Sequence, residues 1–169
     1  MTPPHPARAT PFRAFVLGFV CGLRSQTPFG LIALETARGR FVPPGGTVLE
    51  KLRERPVQLA LGLSMLGELA GDKLPFAPSR LSRGPLFGRL VLGALSGAAL
   101  ARERAGAGSV PAQPVLLGAA LGLLGAGLGS FAGYGARAGL TKGLGQPDLP
   151  VALLEDALGL GLGFWALEK

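Results

Sequence analysis

Glu68 and Asp72 stand four residues apart in GELAGDKLPFAPSR (Gly67–Arg80), directly after the apolar run VQLALGLSML. On a helix that spacing puts both carboxylates on one face, one turn apart. Such a pair can bind a cation or carry protons, and it needs a positive charge to balance it: Lys73, Arg80, Arg137, Arg24, a proton or a metal ion. A second polar group is GLRSQTP (Gly22–Pro28), which interrupts an apolar stretch from Phe12 to Ala37. There Arg24 brings a cation, and Ser25, Gln26 and Thr27 bring neutral contacts. A third is PDLPVALLEDAL (Pro147–Leu158), with Glu155 and Asp156 side by side. Glu68 and Arg24 both lie well inside apolar runs. An ionisable group at that depth in a membrane costs at least about 2.5–3.5 kcal/mol, so by default it marks a functional site. A plainer reading stands beside this one. Asp148, Glu155 and Asp156 can serve as helix-start acids, with Asp148 capping. Asp72 and Lys73 can sit at the interface, and the remaining charges can lock helices together.

Five apolar elements must position these residues. The first, Phe12–Ala37, is cut at RSQTP, because Pro28 removes a backbone donor and disfavours helix at Thr27. Neither half spans roughly 30 Å of hydrocarbon at 1.5 Å per residue. It is therefore one broken crossing or a re-entrant pair, and the break must face protein or water. The others are Val57–Leu74, Leu86–Ala101, Val115–Ala136 and Val151–Leu167. Of these, Val115–Ala136 alone meets the rule of 18 or more uncharged apolar residues. Arg38–Pro56 reads as a loop with a short charged amphipathic piece near Thr47–Arg55. Residues 1–10 read as a disordered tail and 11–169 as one transmembrane domain. The start resembles a signal peptide, but no small-residue cleavage site follows and Arg24 interrupts the run.

Composition agrees with a membrane. Only 16% of the 169 residues are charged, the mean hydropathy is +0.41, and the 28 glycines sit among Leu and Ala. Glycine repeated at i and i+4 destabilises soluble helices but lets membrane helices approach closely. Gly18/Gly22, Gly67/Gly71, Gly93/Gly97, Gly118/Gly122, Gly125/Gly129/Gly133 and Gly159/Gly163 fit that pattern. A soluble bundle would need polar outer faces, which Val115–Ala136 lacks. The net charge of +7 falls mainly between apolar runs, where it meets lipid headgroups, and no element matches a nucleic-acid reader. The lone Cys21 and the lone His5 leave no basis for a disulfide, a zinc cluster or a His-based catalytic site. Glycine strings such as GAGLGSFAG have no strand before them, so they make no nucleotide site.

If the last four elements each cross once, one side collects Glu68, Asp72, Lys73, Arg80, Arg83, Arg137, Lys142, Asp148, Glu155 and Asp156. A re-entrant first element puts most bases on the other side, with the tail, which points the acid cluster outward. The expected fold is thus all-α: a polytopic bundle of four spanning helices plus a broken or re-entrant first element.

GLRSQTP, GELAGDKLPFAPSR and PDLPVALLEDAL together resemble the bacterial membrane-protein family known as domain of unknown function 4126, over nearly the whole chain from Phe12. That resemblance implies a small polytopic inner-membrane protein and no particular activity. GELAGDK is also similar to the Glu-x-Gly-Asp-Lys-Thr signature of a family of cation/proton exchangers. Here an extra residue separates Glu68 from Gly71, which rotates the glutamate by about 100°, and Leu74 replaces the Thr. The functional expectation is transport of an ion or small solute by a lipid-embedded protein, with homo-oligomerisation to enclose a pathway. The site residues would be Arg24, Ser25, Gln26, Thr27, Glu68, Asp72, Lys73, Arg80, Arg137, Glu155 and Asp156. No enzyme activity, cofactor, metal or nucleic acid is expected. The alternative is a non-transporting scaffold or lipid-interacting protein, and a third class is an enzyme acting on lipid.

Overall fold

A computed structural model of the chain describes residues 10–71, 81–106, 111–143, 145 and 147–168. They form α1 (Thr10–Leu23), α2 (Thr27–Ala37), a short 3-10 helix (Val48–Arg53), α3 (Arg55–Gly71), α4 (Arg83–Arg104), α5 (Ala112–Ala138) and α6 (Asp148–Leu167). A π-helical turn, Gly139–Gly143, extends α5. No strand occurs among the described residues. The tail expected over residues 1–10 lies, apart from Thr10, outside them.

Each α-helix carries a proline as its second or third residue: Pro11, Pro28, Pro56, Pro85, Pro114 and Pro150. In the first turn the missing N–H would have had no intrahelical acceptor, and the fixed φ suits a helix start. Two helices stop where a glycine takes positive φ, at Gly39 after α2 and Gly106 after α4, the usual left-handed exit.

α1 is the central helix, packed on α4, α5 and α6 and more lightly on α2. Glycine makes this possible. A Cβ on Gly18 would run into the carbonyl of Gly122, and one on Gly22 into that of Ala126. The register advances in the same direction along both chains, so α1 and α5 are parallel. On the other flank Gly97 meets Gly118 and Gly93 meets Gly122, so α4 and α5 are antiparallel. Not every expected pair is used in this way. A Cβ on Gly67, Gly71 or Gly159 would meet nothing within 4 Å. For Gly67 and Gly71 the reason is that, among the described residues, α3 packs mainly on α2 and the 3-10 helix, and none of its residues is buried.

The first element goes in and comes back. Phe12, at the start of α1, stacks edge-on against Trp165 near the end of α6, with centroids 5.9 Å apart. Arg38, just past α2, lies over the Phe164 ring at 6.0 Å. Both outer ends of the α1–α2 hairpin therefore sit at the C-terminal end of α6. α2 and α3 run antiparallel, Gly30 meeting Met65. The end of α4 joins the same level, because Arg104 donates to the carbonyls of Leu167 and Glu168. Arg13 also donates to the carbonyl of Glu168. This end of the molecule is here called the tail end, and the other the far end.

Three helical stretches are long and apolar enough to cross a membrane: Arg83–Arg104, Ala112–Thr141 and Leu149–Leu167. α3 has 17 residues, and the chain following Gly71 lies outside the described residues. Leu63, Phe87, Leu95, Leu116, Leu128 and Leu154 face outward, while the interior holds Arg24, Arg89, Ser96, Ser130 and Asp156. Apolar outside and polar inside is the distribution of a lipid-embedded bundle.

Candidate functional site

The site is built on the gap between α1 and α2. Such a gap frees backbone groups that must be satisfied away from water. Arg24 N–H still donates to Val20 O at 2.8 Å, and Thr27 N–H reaches Arg24 O at 3.3 Å. Pro28 has no donor. The Ser130 hydroxyl on α5 lies 2.8 Å from Ala126 O and 3.3 Å from Gly22 O, its proton shared between the two carbonyls. The two remaining amides, Ser25 and Gln26, donate to the two carboxylate oxygens of Glu68 on α3, each at 2.7 Å. The Ser25 hydroxyl adds a third donor at 2.6 Å. Glu68 thus serves as the anion at the N-terminus of α2, where peptide dipoles favour negative charge.

Two guanidiniums complete the centre. Arg24 is 1% exposed; its Nη2 lies 2.6 Å from Asp156 Oδ1 and 3.8 Å from Glu155 Oε2. Arg89, on α4, is also buried, with Nη2 4.0 Å from Glu68 Oε1. The Cys21 thiol donates to the carbonyls of Ser25 and Arg89 at 3.4 and 3.6 Å. Thr27 Oγ1 is buried and makes no hydrogen bond among the described residues. Asp156 lies eight residues into α6 and Arg89 six into α4, so the centre sits about 10 Å inside the far end at 1.5 Å per residue.

Of the residues singled out in the sequence, Arg24, Ser25, Glu68, Glu155 and Asp156 do meet. Gln26 joins through its backbone N–H rather than as an oxygen donor set. Thr27 begins α2 beside them. Asp72, Lys73 and Arg80 lie outside the described residues, and with them the Glu68–Asp72 pair. Arg137 stands in the last turn of α5. With Glu155 it borders a cleft of about 200 Å³ between α1, α5 and α6, otherwise lined by side chains such as Phe19, Leu23, Leu154 and Leu158. One expectation is corrected. Glu155 and Asp156 are not helix-start acids, because α6 begins at Asp148 with Pro147 as its cap residue. They fall in its third turn, beyond the reach of the terminal dipole, and a guanidinium answers them instead. Arg89 was missed. A lone arginine in the apolar run LFGRLVLGAL was the available signal, but it stands three residues past Leu86, where that element was taken to begin, so the depth argument that picked out Arg24 did not reach it. No three His, Cys, Asp or Glu side chains among the described residues converge as metal ligands.

The family model described as Domain of unknown function (DUF4126) matches residues 12–168. The chain belongs to this family. No curated protein and no solved structure matches. The matched span covers every residue of the centre, and the three crossing-length helices make this member a membrane protein.

Proposed function

We propose that this chain is a multi-pass protein of the bacterial inner membrane that moves an ion or small solute, with Arg24, Ser25, Glu68, Arg89, Glu155 and Asp156 as its polar centre. One observation carries the reading: two guanidiniums and three carboxylates from four segments converge on a helix break. Holding helices together does not call for so many charges. Apolar replacements of buried ion pairs are often as stable or more so, whereas helix breaks that present half-helix termini to charged groups are typical of transport sites. The cleft at Glu155 offers an approach to the centre from the far end. Assembly of several copies would enclose the pathway that one small bundle cannot.

A second reading rests on Glu68, both of whose oxygens are spent on the amides of Ser25 and Gln26 just before α2. That is a capping job complete in itself, and it favours a static lock. Proteoliposomes loaded with a pH dye or a potassium dye separate the two. Transport predicts ion flux above empty vesicles that falls at least about tenfold, a 1.4 kcal/mol effect, in D156N protein that remains folded. No flux above empty vesicles for protons or potassium, together with lowered stability in D156N, would favour the lock. Reconstitution yielding a substrate-dependent product from lipid would instead point to an enzyme.

A further inference from the structure

The connection between α2 and α3 is folded, yet it leaves aliphatic side chains in the open. Phe41 and Leu52 are buried beneath it. Arg53 donates to Pro43 O and the Thr47 hydroxyl to Pro44 O, both at 2.8 Å. Glu50 accepts from Gly46 N–H at 2.9 Å, and Val42 N–H reaches the Glu103 carboxylate on α4 at 3.4 Å. On this fixed frame Val48 is 82% exposed and Val42 49%. Arg38, Arg40, Lys51, Arg53 and Arg55 flank them along the chain, all exposed, against the exposed acids Glu50 and Glu54; Arg38 and Arg40 also pair with Glu35 at 3.0 and 3.6 Å. Phe164 and Trp165 of α6 surface at the same end, and aromatic residues mark the level at which a helix leaves the hydrocarbon.

We infer that this loop seats on anionic phospholipid headgroups of the membrane that holds the bundle. The valines enter the interfacial layer and the basic side chains meet the phosphates. A soluble acidic partner would answer the charge, but it would not explain aliphatic side chains held out beside it at the aromatic level. The inference stands whether or not the chain moves a solute.

The test places a bimane label on V48C in proteoliposomes of phosphatidylcholine with and without phosphatidylglycerol. Cys21 is fully buried, and the unsubstituted chain subjected to the same labelling is the control. With phosphatidylglycerol the label should be quenched by shallow nitroxide lipid and shielded from aqueous iodide. K51Q/R55Q should reverse this, each charge being worth about a fivefold change in partition. Equal access of iodide in both lipids would overturn the inference. So would shielding that persists in detergent without lipid, which would mean that protein, a second copy included, covers the loop.

Discussion

Glu68 shows how much one carboxylate can do at a helix break. Both oxygens are occupied by the amides of Ser25 and Gln26, so Glu68→Gln swaps one acceptor for an NH₂ that cannot receive an N–H. We expect a loss of about 1–3 kcal/mol, the cost of one buried donor left without a partner, read as a lower melting temperature in detergent; an unchanged value would mean that the amides do not depend on this residue. Arg24 sets up a harsher test. Arg24→Met removes the guanidinium facing Asp156 and Glu155, and an uncompensated buried charge costs about 3–5 kcal/mol. The double variant R24M/D156L should recover a large part of that in the same denaturation experiment. If it is no more stable than R24M, the two side chains are not partners. The sequence showed that Arg24 and Glu68 lie deep in apolar runs, since depth follows from position alone. It could not pair them with Asp156 and Ser25, because pairing depends on how separate helices are rotated about their axes.

At the scale of the helices, glycine has two roles that look alike along the chain. Gly18, Gly22, Gly118 and Gly122 let backbones meet, whereas Gly67 faces open space. Gly18→Ala and Gly122→Ala should each destabilise by about 1–3 kcal/mol, because backbone rather than a flexible side chain must yield. Gly67→Ala should be neutral or gain up to about 1 kcal/mol from helix propensity. Unfolding in mixed micelles compares the three, and a Gly67 variant as damaged as the others would show a face of α3 covered by a partner. Boundaries were legible to within a few residues, because proline in the first turn and glycine after the last are local signals. The start of α6 was off by the same three residues as those of α4 and α5, but there the shift mattered: with the helix beginning at Asp148 rather than Val151, Glu155 and Asp156 fall in its third turn, outside the terminal field.

For the molecule as a whole, the return of α2 is the decisive feature. A 14-residue α1 spans only about 21 Å, too short to cross but long enough to reach the middle of a bundle that shields its open end. The ends of α1 and α2 then share a side with the end of α6. Single cysteines at Glu54 and Arg40, both exposed, should therefore react with an impermeant maleimide from one side of oriented membrane vesicles, and those at Arg83 and Gly139 from the other. Opposite labelling of positions 54 and 40 relative to the α6 C-terminus would mean that the first element crosses. Cys21 should stay unreactive until the fold is lost, so its alkylation under denaturant reports global opening.

Local chemistry alone announced a helical, lipid-embedded chain: apolar runs, proline breaks and glycine repeats act within a turn or two, and their effects add along the sequence. Charge at depth was equally plain, since it needs only a count of residues from the end of a run. Which base answers which acid, which glycines touch, and that the first element turns back were settled by packing. Those outcomes hang on rotation and register between helices distant in sequence, and close backbone contacts such as Gly18 on Gly122 fix them only once the bundle has formed.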